Sequence, residues 1–211
     1  MDEGTPLDRQ WEATIVDHLS RAVSELLHGS RSKADAILQE VSVRGPERAK
    51  RKGVPLTTQL EVFRRDSFTC RYCSQRTLFL PTVRVLSAAF PEHLPVDPGW
   101  KLDHTHPVYW TLIASADHVV PAIRGGDSSE DNLVTSCWRC NDIKRAWSLQ
   151  ELRWTLLEPP EQSSWDGLSG DYPQLCAATT DAEGQPVSEV SYHRGWLRAF
   201  STLDAQSPEQ H

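Results

Sequence analysis

Two C-x-x-C pairs stand far apart in this chain, Cys70 with Cys73 and Cys137 with Cys140. Each pair presents two soft sulfurs from one tight turn, and four thiolates suit a single tetrahedral ion, most commonly Zn²⁺. A shared ion would staple residues 70–73 to 137–140, so everything between must leave that point and return to it. Four cysteines close the coordination sphere and leave no position for substrate, which makes the expected Zn²⁺ structural. Five cysteines, four of them in these pairs, fit a metal site in a reducing compartment better than a disulfide framework. The remaining one, Cys176, reads as a buried or incidental thiol.

The 211 residues, 38% of them hydrophobic and eight of them Trp, suffice for one domain with extensions or a small domain with a second lobe. No apolar run approaches 18 residues, so no transmembrane helix and no membrane partner are expected. The first residues, MDEGTPLDRQ, form neither a basic leader nor an apolar h-region, and the expected location is cytoplasmic. A net charge of −7 argues at first against a nucleic-acid partner. Its distribution argues otherwise. Residues 44–71 carry eight Lys or Arg against three acids, whereas residues 158–211 carry nine acids against Arg194 and Arg198. The acidic surplus sits in the tail, which keeps a polyanionic partner open.

Periodicity predicts an amphipathic helix over 8–28, with Trp11, Ile15, Leu19, Val23 and Leu26 on one face and Gly29 ending it. A shorter helix is expected at about 33–43. The stretch 44–55, RGPERAKRKGVP, is either a solvated linker or a phosphate-contacting arm. Residues 57–66 predict a helix with Leu60 and Phe63 inward. A hairpin is expected over 113–137, broken at Gly125-Gly126, then a helix over 138–146. Ser148 to Glu151 is a capping-box pattern that starts another helix. Residues 176–190 read as a polar loop, 191–200 as a docked helix and 204–211 as disordered. The expected boundaries are N-terminal helices at 1–43, a basic linker at 44–56, a principal domain at 57–157 with an insertion at 74–116, and an acidic C-terminal extension at 158–211.

Chemistry concentrates in residues 117–144. An Asp117-His118 pair, a Gly-Gly turn, Asn132-Leu133 and a C-x-x-C followed at once by Asn141 and then Lys144 come in one order. Phosphodiester hydrolysis needs a base to activate water and a cation to stabilise the phosphorane and the leaving oxygen. Histidine, titrating near ~6.5, is the natural base at neutral pH. A hard divalent ion wants oxygen ligands, and Asp117 and Asn141 can each give one.

In that order these residues resemble the HNH endonucleases of the four-cysteine subtype, over about a fifth of the chain once the 57–73 lead-in is included. The resemblance implies an α+β fold: a ββα-metal core stapled by zinc, with N-terminal helices and a mostly helical C-terminal extension. It implies His118 as general base, Asp117 as ligand of a catalytic Mg²⁺ or Mn²⁺, and Asn132 as the middle Asn whose amide holds the loop between the strands. Asn141 stands where many members carry the last His, and its carbonyl oxygen suits Mg²⁺ at least as well as an imidazole. The departures are that Asn and the long 74–116 insertion, which bears on substrate access.

Arg124, Arg139, Lys144 and Arg145 lie on or beside the motif and are candidate phosphate contacts, or else surface charges. His104 and His106 form H-x-H without a third ligand, and Trp138 and Trp147 read as packing residues. The function expected is metal-dependent cleavage of DNA, with restriction or phage defence as its setting by analogy and a homodimer as one arrangement for double-strand cutting. A non-catalytic zinc module binding nucleic acid or protein would need the four cysteines but not Asp117, His118 and Asn141 together. Cleavage of RNA, or a toxin role, would use the same site.

Overall fold

The computed structural model describes residues 9–40, 53–161 and 163–206. It divides into two compact units, Met1–Arg51 and Lys52–His211. In the first, α1 (Arg9–Leu27) and α2 (Arg31–Glu40) form a hairpin. Gly29 turns it at φ +75°, a left-handed conformation that favours glycine. Ala22 and Ala34 are buried, and side chains that small let two helix backbones approach. His18 meets Glu40 at 3.0 Å across the pair. The apolar Leu19, Val23 and Leu26 stay exposed. The side chains of Trp11 and Ile15, and the stretch 41–52 with most of the basic linker, lie outside the described residues.

The second unit begins with α3 (Leu56–Arg65), whose Leu60 and Phe63 are buried as the spacing predicts, and Val62 is buried beside them. The first cysteine pair follows, then α4 (Leu80–Ala89) and α5 (Val108–Thr111) within the insertion. The insertion leaves and returns at one place. Leu78 and Ile113 form a parallel bridge, with Leu78 N–H donating to the Leu112 carbonyl and Ala114 N–H to the Leu78 carbonyl. A long excursion whose ends are already paired adds little closure entropy.

Next come β1 (Ala114–His118) and β2 (Leu133–Cys137), antiparallel, with Ala114 opposite Cys137 and His118 opposite Leu133. Every residue of β2 is buried because α3 and α6 (Trp138–Lys144) both pack on this two-stranded sheet. The arrangement β1, β2, α6 is the ββα unit that the sequence implies. Ser148 caps α7 (Leu149–Leu152), and its capping box with Glu151 is formed. The chain closes through α8 (Tyr172–Ala178) and α9 (Ser191–Gln206). The polar-loop reading of 176–190 therefore needs correction at its start, where α8 buries Cys176. The reading of 204–211 as disordered needs correction at 204–206, which belong to α9; residues 207–211 lie outside the described residues.

The core that supports the sheet is built around Phe79. Its ring makes edge contacts with Phe68, Tyr172, Trp196 and Phe200 at centroid distances of 4.9–6.0 Å, geometries that aromatic quadrupoles favour. Tyr172, Cys176, Val187, Trp196, Phe200 and Leu203 all join this core, so the acidic 158–211 stretch packs its apolar residues against α3 and Phe68. Gly167 is required here. A side chain on it would meet the Phe68 ring at 2.2 Å, and its carbonyl accepts the Phe79 N–H at 2.8 Å.

Candidate active site and metal centre

The two knuckles meet. The Sγ atoms of Cys70, Cys73, Cys137 and Cys140 all lie within 4.8 Å of one another, Cys73 and Cys137 at 3.9 Å. Four sulfurs about 2.3 Å from one tetrahedral ion stand about 3.8 Å apart, so the set fits zinc. Its electrostatics point the same way. A hydrogen bond from Cys137 holds the Cys70 thiol down to about 5. The Cys70 side chain and then burial push Cys137 far up, and burial and the Cys70 charge push Cys140 up to about 12. Sulfurs this crowded ionise together only around a cation. Among the described residues no other group of three or more His, Cys, Asp or Glu is placed to hold an ion. His104 lies 3.6 Å from Asp103 and 3.9 Å from Asp97, with no metal-ligand set around the H-x-H.

The knuckles are fixed to the sheet by protein contacts as well. Arg71 N–H donates to the Thr135 carbonyl of β2 at 2.8 Å. Asp66, fully buried where α3 ends, accepts from Arg65, from Arg71 at 3.0 Å and from the Thr135 N–H at 2.7 Å. Arg65 continues to the carbonyls of Glu130 and Leu133, and Arg71 to that of Leu157. Arg64 faces Asp204 and the Phe200 ring. Three of the basic residues that made the 44–71 segment positive are thus engaged within the protein.

Strand alternation turns Ser115 and Asp117 of β1 toward α6. Asn141 Nδ2 donates to Ser115 Oγ at 2.6 Å, and its side-chain oxygen Oδ1 accepts from none of the described residues. Asp117, 7% exposed, uses one oxygen, Oδ2, for two partners: it accepts from the Tyr72 hydroxyl at 2.6 Å and pairs with the Lys144 ammonium at 3.0 Å. Its other oxygen, Oδ1, accepts from none of the described residues. Two hard oxygen donors on facing elements suit an ion such as Mg²⁺, which keeps waters in its remaining positions. Burial first, then the Asp117 charge, drives the Tyr72 phenol far above its ordinary range, so it stays a proton donor.

His118 ends β1. Its Nε2 lies 3.0 Å from Ser128 Oγ, and its carbonyl accepts from Lys144 Nζ at 2.6 Å. The intervening loop is closed by Asn132, which accepts from Val120 N–H at 2.8 Å and donates to the carbonyls of Val120 at 3.1 Å and Asp127 at 2.8 Å. Gly126 is part of this closure: a Cβ there would sit 1.8 Å from the Val120 carbonyl oxygen.

The candidate phosphate contacts separate. Lys144 needs correction: it has no exposed surface and turns inward, where its ammonium pairs with Asp117 and donates to the His118 carbonyl. Arg124 is exposed but paired in two places with Glu151, and Arg145 with Asp142. Arg139 is exposed on α6 with no ion-pair partner among the described residues. Sequence reasoning missed Tyr72, Ser115 and Asp66. Tyr72 carried a usable signal, a phenol between the two cysteines of a C-x-x-C pair; the other two become visible only when the elements pack.

Residues 106–146 match the family model described as HNH endonuclease. That span holds β1, the Asn132 loop, β2 and α6, and it leaves Cys70, Tyr72 and Cys73 outside. No curated protein and no solved structure matched the chain. The HNH family is one of nucleases in general, and the match supports a nuclease-type function for this unit.

Proposed function

We propose that this chain is a metal-dependent endonuclease that hydrolyses phosphodiester bonds of DNA, with His118 as general base and Asp117 and Asn141 as ligands of one Mg²⁺ or Mn²⁺. The observation that carries the reading is the pair of oxygens without donors, on Asp117 and Asn141, beside a histidine that ends the same strand. When bound, the ion supplies positive charge against the phosphorane and the leaving oxygen. His118 accepts a proton from a water, and that water's oxygen attacks phosphorus in line. The bond to the 3′ oxygen breaks, that oxygen gains a proton, and the products are a 3′-hydroxyl and a 5′-phosphate. Ser128 orients the imidazole, and Asn132 keeps the loop that carries Ser128 in place.

Phosphate contacts fall first to Arg139, then to Arg124 and Arg145 if DNA displaces their carboxylate partners. The basic residues of 44–52 are further candidates, as a phosphate-contacting arm, by sequence. Zinc in the four-cysteine site has a structural role here. Restriction or phage defence is the setting we favour, by analogy with free-standing nucleases of this kind. Plasmid cleavage by wild type and His118→Ala, in Mg²⁺, Mn²⁺ or EDTA, tests the reading, with zinc measured on both. We expect metal-dependent nicking that His118→Ala abolishes while retaining its zinc. A zinc-loaded, folded wild type that cuts neither DNA nor RNA would favour a non-catalytic zinc module instead.

A further inference from the structure

The first cysteine knuckle does more than hold an ion. Tyr72 stands between Cys70 and Cys73, and its hydroxyl reaches across to Asp117 Oδ2 at 2.6 Å. That oxygen is the one Lys144 also holds, at 3.0 Å. The two donors pin one side of the carboxylate and leave Oδ1 as the free ligand atom. The phenol is itself immobilised. Its ring lies 5.4 Å from that of Trp154, with the Lys144 ammonium 6.0 Å from its centroid, and its backbone belongs to a turn tied to β2 through Arg71 N–H and the Thr135 carbonyl.

We propose that Tyr72 is a positioning residue for the catalytic-metal ligand Asp117, because its place between two zinc-binding cysteines sets the carboxylate's orientation through the 2.6 Å hydrogen bond. This rests on the reading of Asp117 as a metal ligand. The four-cysteine centre and the catalytic carboxylate then form one mechanical unit: zinc fixes the turn, the turn fixes the phenol, and the phenol presents Oδ1. Groups that orient a metal ligand from behind are typically worth ~10–100-fold in metal affinity or activity.

The experiment uses the full chain loaded with zinc and titrates Mn²⁺ by the loss of its free-ion paramagnetic resonance signal. Wild type, Asp117→Ala and Tyr72→Phe are compared. We expect one site in wild type that Asp117→Ala removes. Tyr72→Phe should retain its zinc and its fold, with a lowered melting temperature, while binding Mn²⁺ at least ~10-fold more weakly. Its kcat should fall at low Mg²⁺ and recover at high Mg²⁺, with KM for DNA unchanged. Packing alone would not move the Mn²⁺ affinity.

Wild-type affinity in Tyr72→Phe, with the Asp117-dependent site present, overturns the positioning role and leaves the nuclease reading intact. Absence of any Asp117-dependent site in wild type overturns both. A second measurement does not depend on how Tyr72→Phe folds: 3-fluorotyrosine placed at position 72 gives a fluorine resonance beside Asp117. Its shift should move on Mg²⁺ addition, and not in the Asp117→Ala background. A resonance that ignores Mg²⁺ in the wild-type background overturns the proposal.

Discussion

At the scale of single residues, charge type in the sequence says little about where a charge goes. Lys144 and Arg139 are five positions apart on or beside one short helix, yet one is fully buried against Asp117 and the other is exposed. Lys144→Met would leave the buried Asp117 with Tyr72 as its remaining donor. Breaking a buried pair from one side costs about 3–5 kcal/mol, and urea denaturation should show a loss of that size. Arg139→Ala should leave stability within ~0.5 kcal/mol, since nothing in the described fold leans on it. In a DNA-binding titration against salt it should instead lower the slope by about one. The reverse pattern would mean that these two side chains exchange roles in solution.

At the scale of elements, the hairpin, α6 and the capping box could be read directly. Alternation, the Gly-Gly break and S-x-x-E are local patterns, and local patterns report local backbone. The two knuckles were legible for another reason: thiolates at C-x-x-C spacing have few fates besides a shared ion. What holds the knuckles to the sheet was not legible, because Asp66 joins its near neighbours Arg65 and Arg71 to the backbone N–H of Thr135, a residue of β2 far along the chain. Those hydrogen bonds do not satisfy the sulfurs themselves, three of which are buried and all of which are crowded. Removing zinc with a strong chelator, or Cys140→Ser, should lower the melting temperature by roughly 10 °C or more. Differential scanning calorimetry with metal analysis checks this. A melt indifferent to zinc would make the cysteines a site of another kind.

At the scale of the whole molecule, the second unit is more continuous than its charge distribution suggests. The acidic 158–211 stretch carries Tyr172, Trp196 and Phe200 into the core that α3 and Phe79 share. His193 of α9 lies in that seam, 4% exposed, with its Nδ1 3.0 Å from the Tyr172 hydroxyl. Burial, and then the Arg84 charge, lower it from 6.5 to about 4. Between those values the unfolded chain binds a proton that the folded chain refuses. The contribution is therefore fully present above about pH 6.5 and is lost as pH falls toward 4. It amounts to on the order of 3 kcal/mol. Chemical unfolding followed from pH 7 to 4.5 should show this decline, flattened in His193→Gln; equal slopes would exclude His193 as its source.

From sequence alone came the ββα order, the four-cysteine staple and the place of Asp117, His118, Asn132 and Asn141 in one short segment. The order and the staple follow from local pattern and from the narrow chemistry of thiolates, while what the four residues do follows from their resemblance to the HNH endonucleases. Tertiary structure alone decided that Lys144 turns inward, that Tyr72 reaches Asp117 from the first cysteine knuckle, and that the acidic tail completes the core. Each of these depends on which groups meet after burial, where an unpaired charge or phenol is costly and must find a partner. No spacing along the chain records such a meeting.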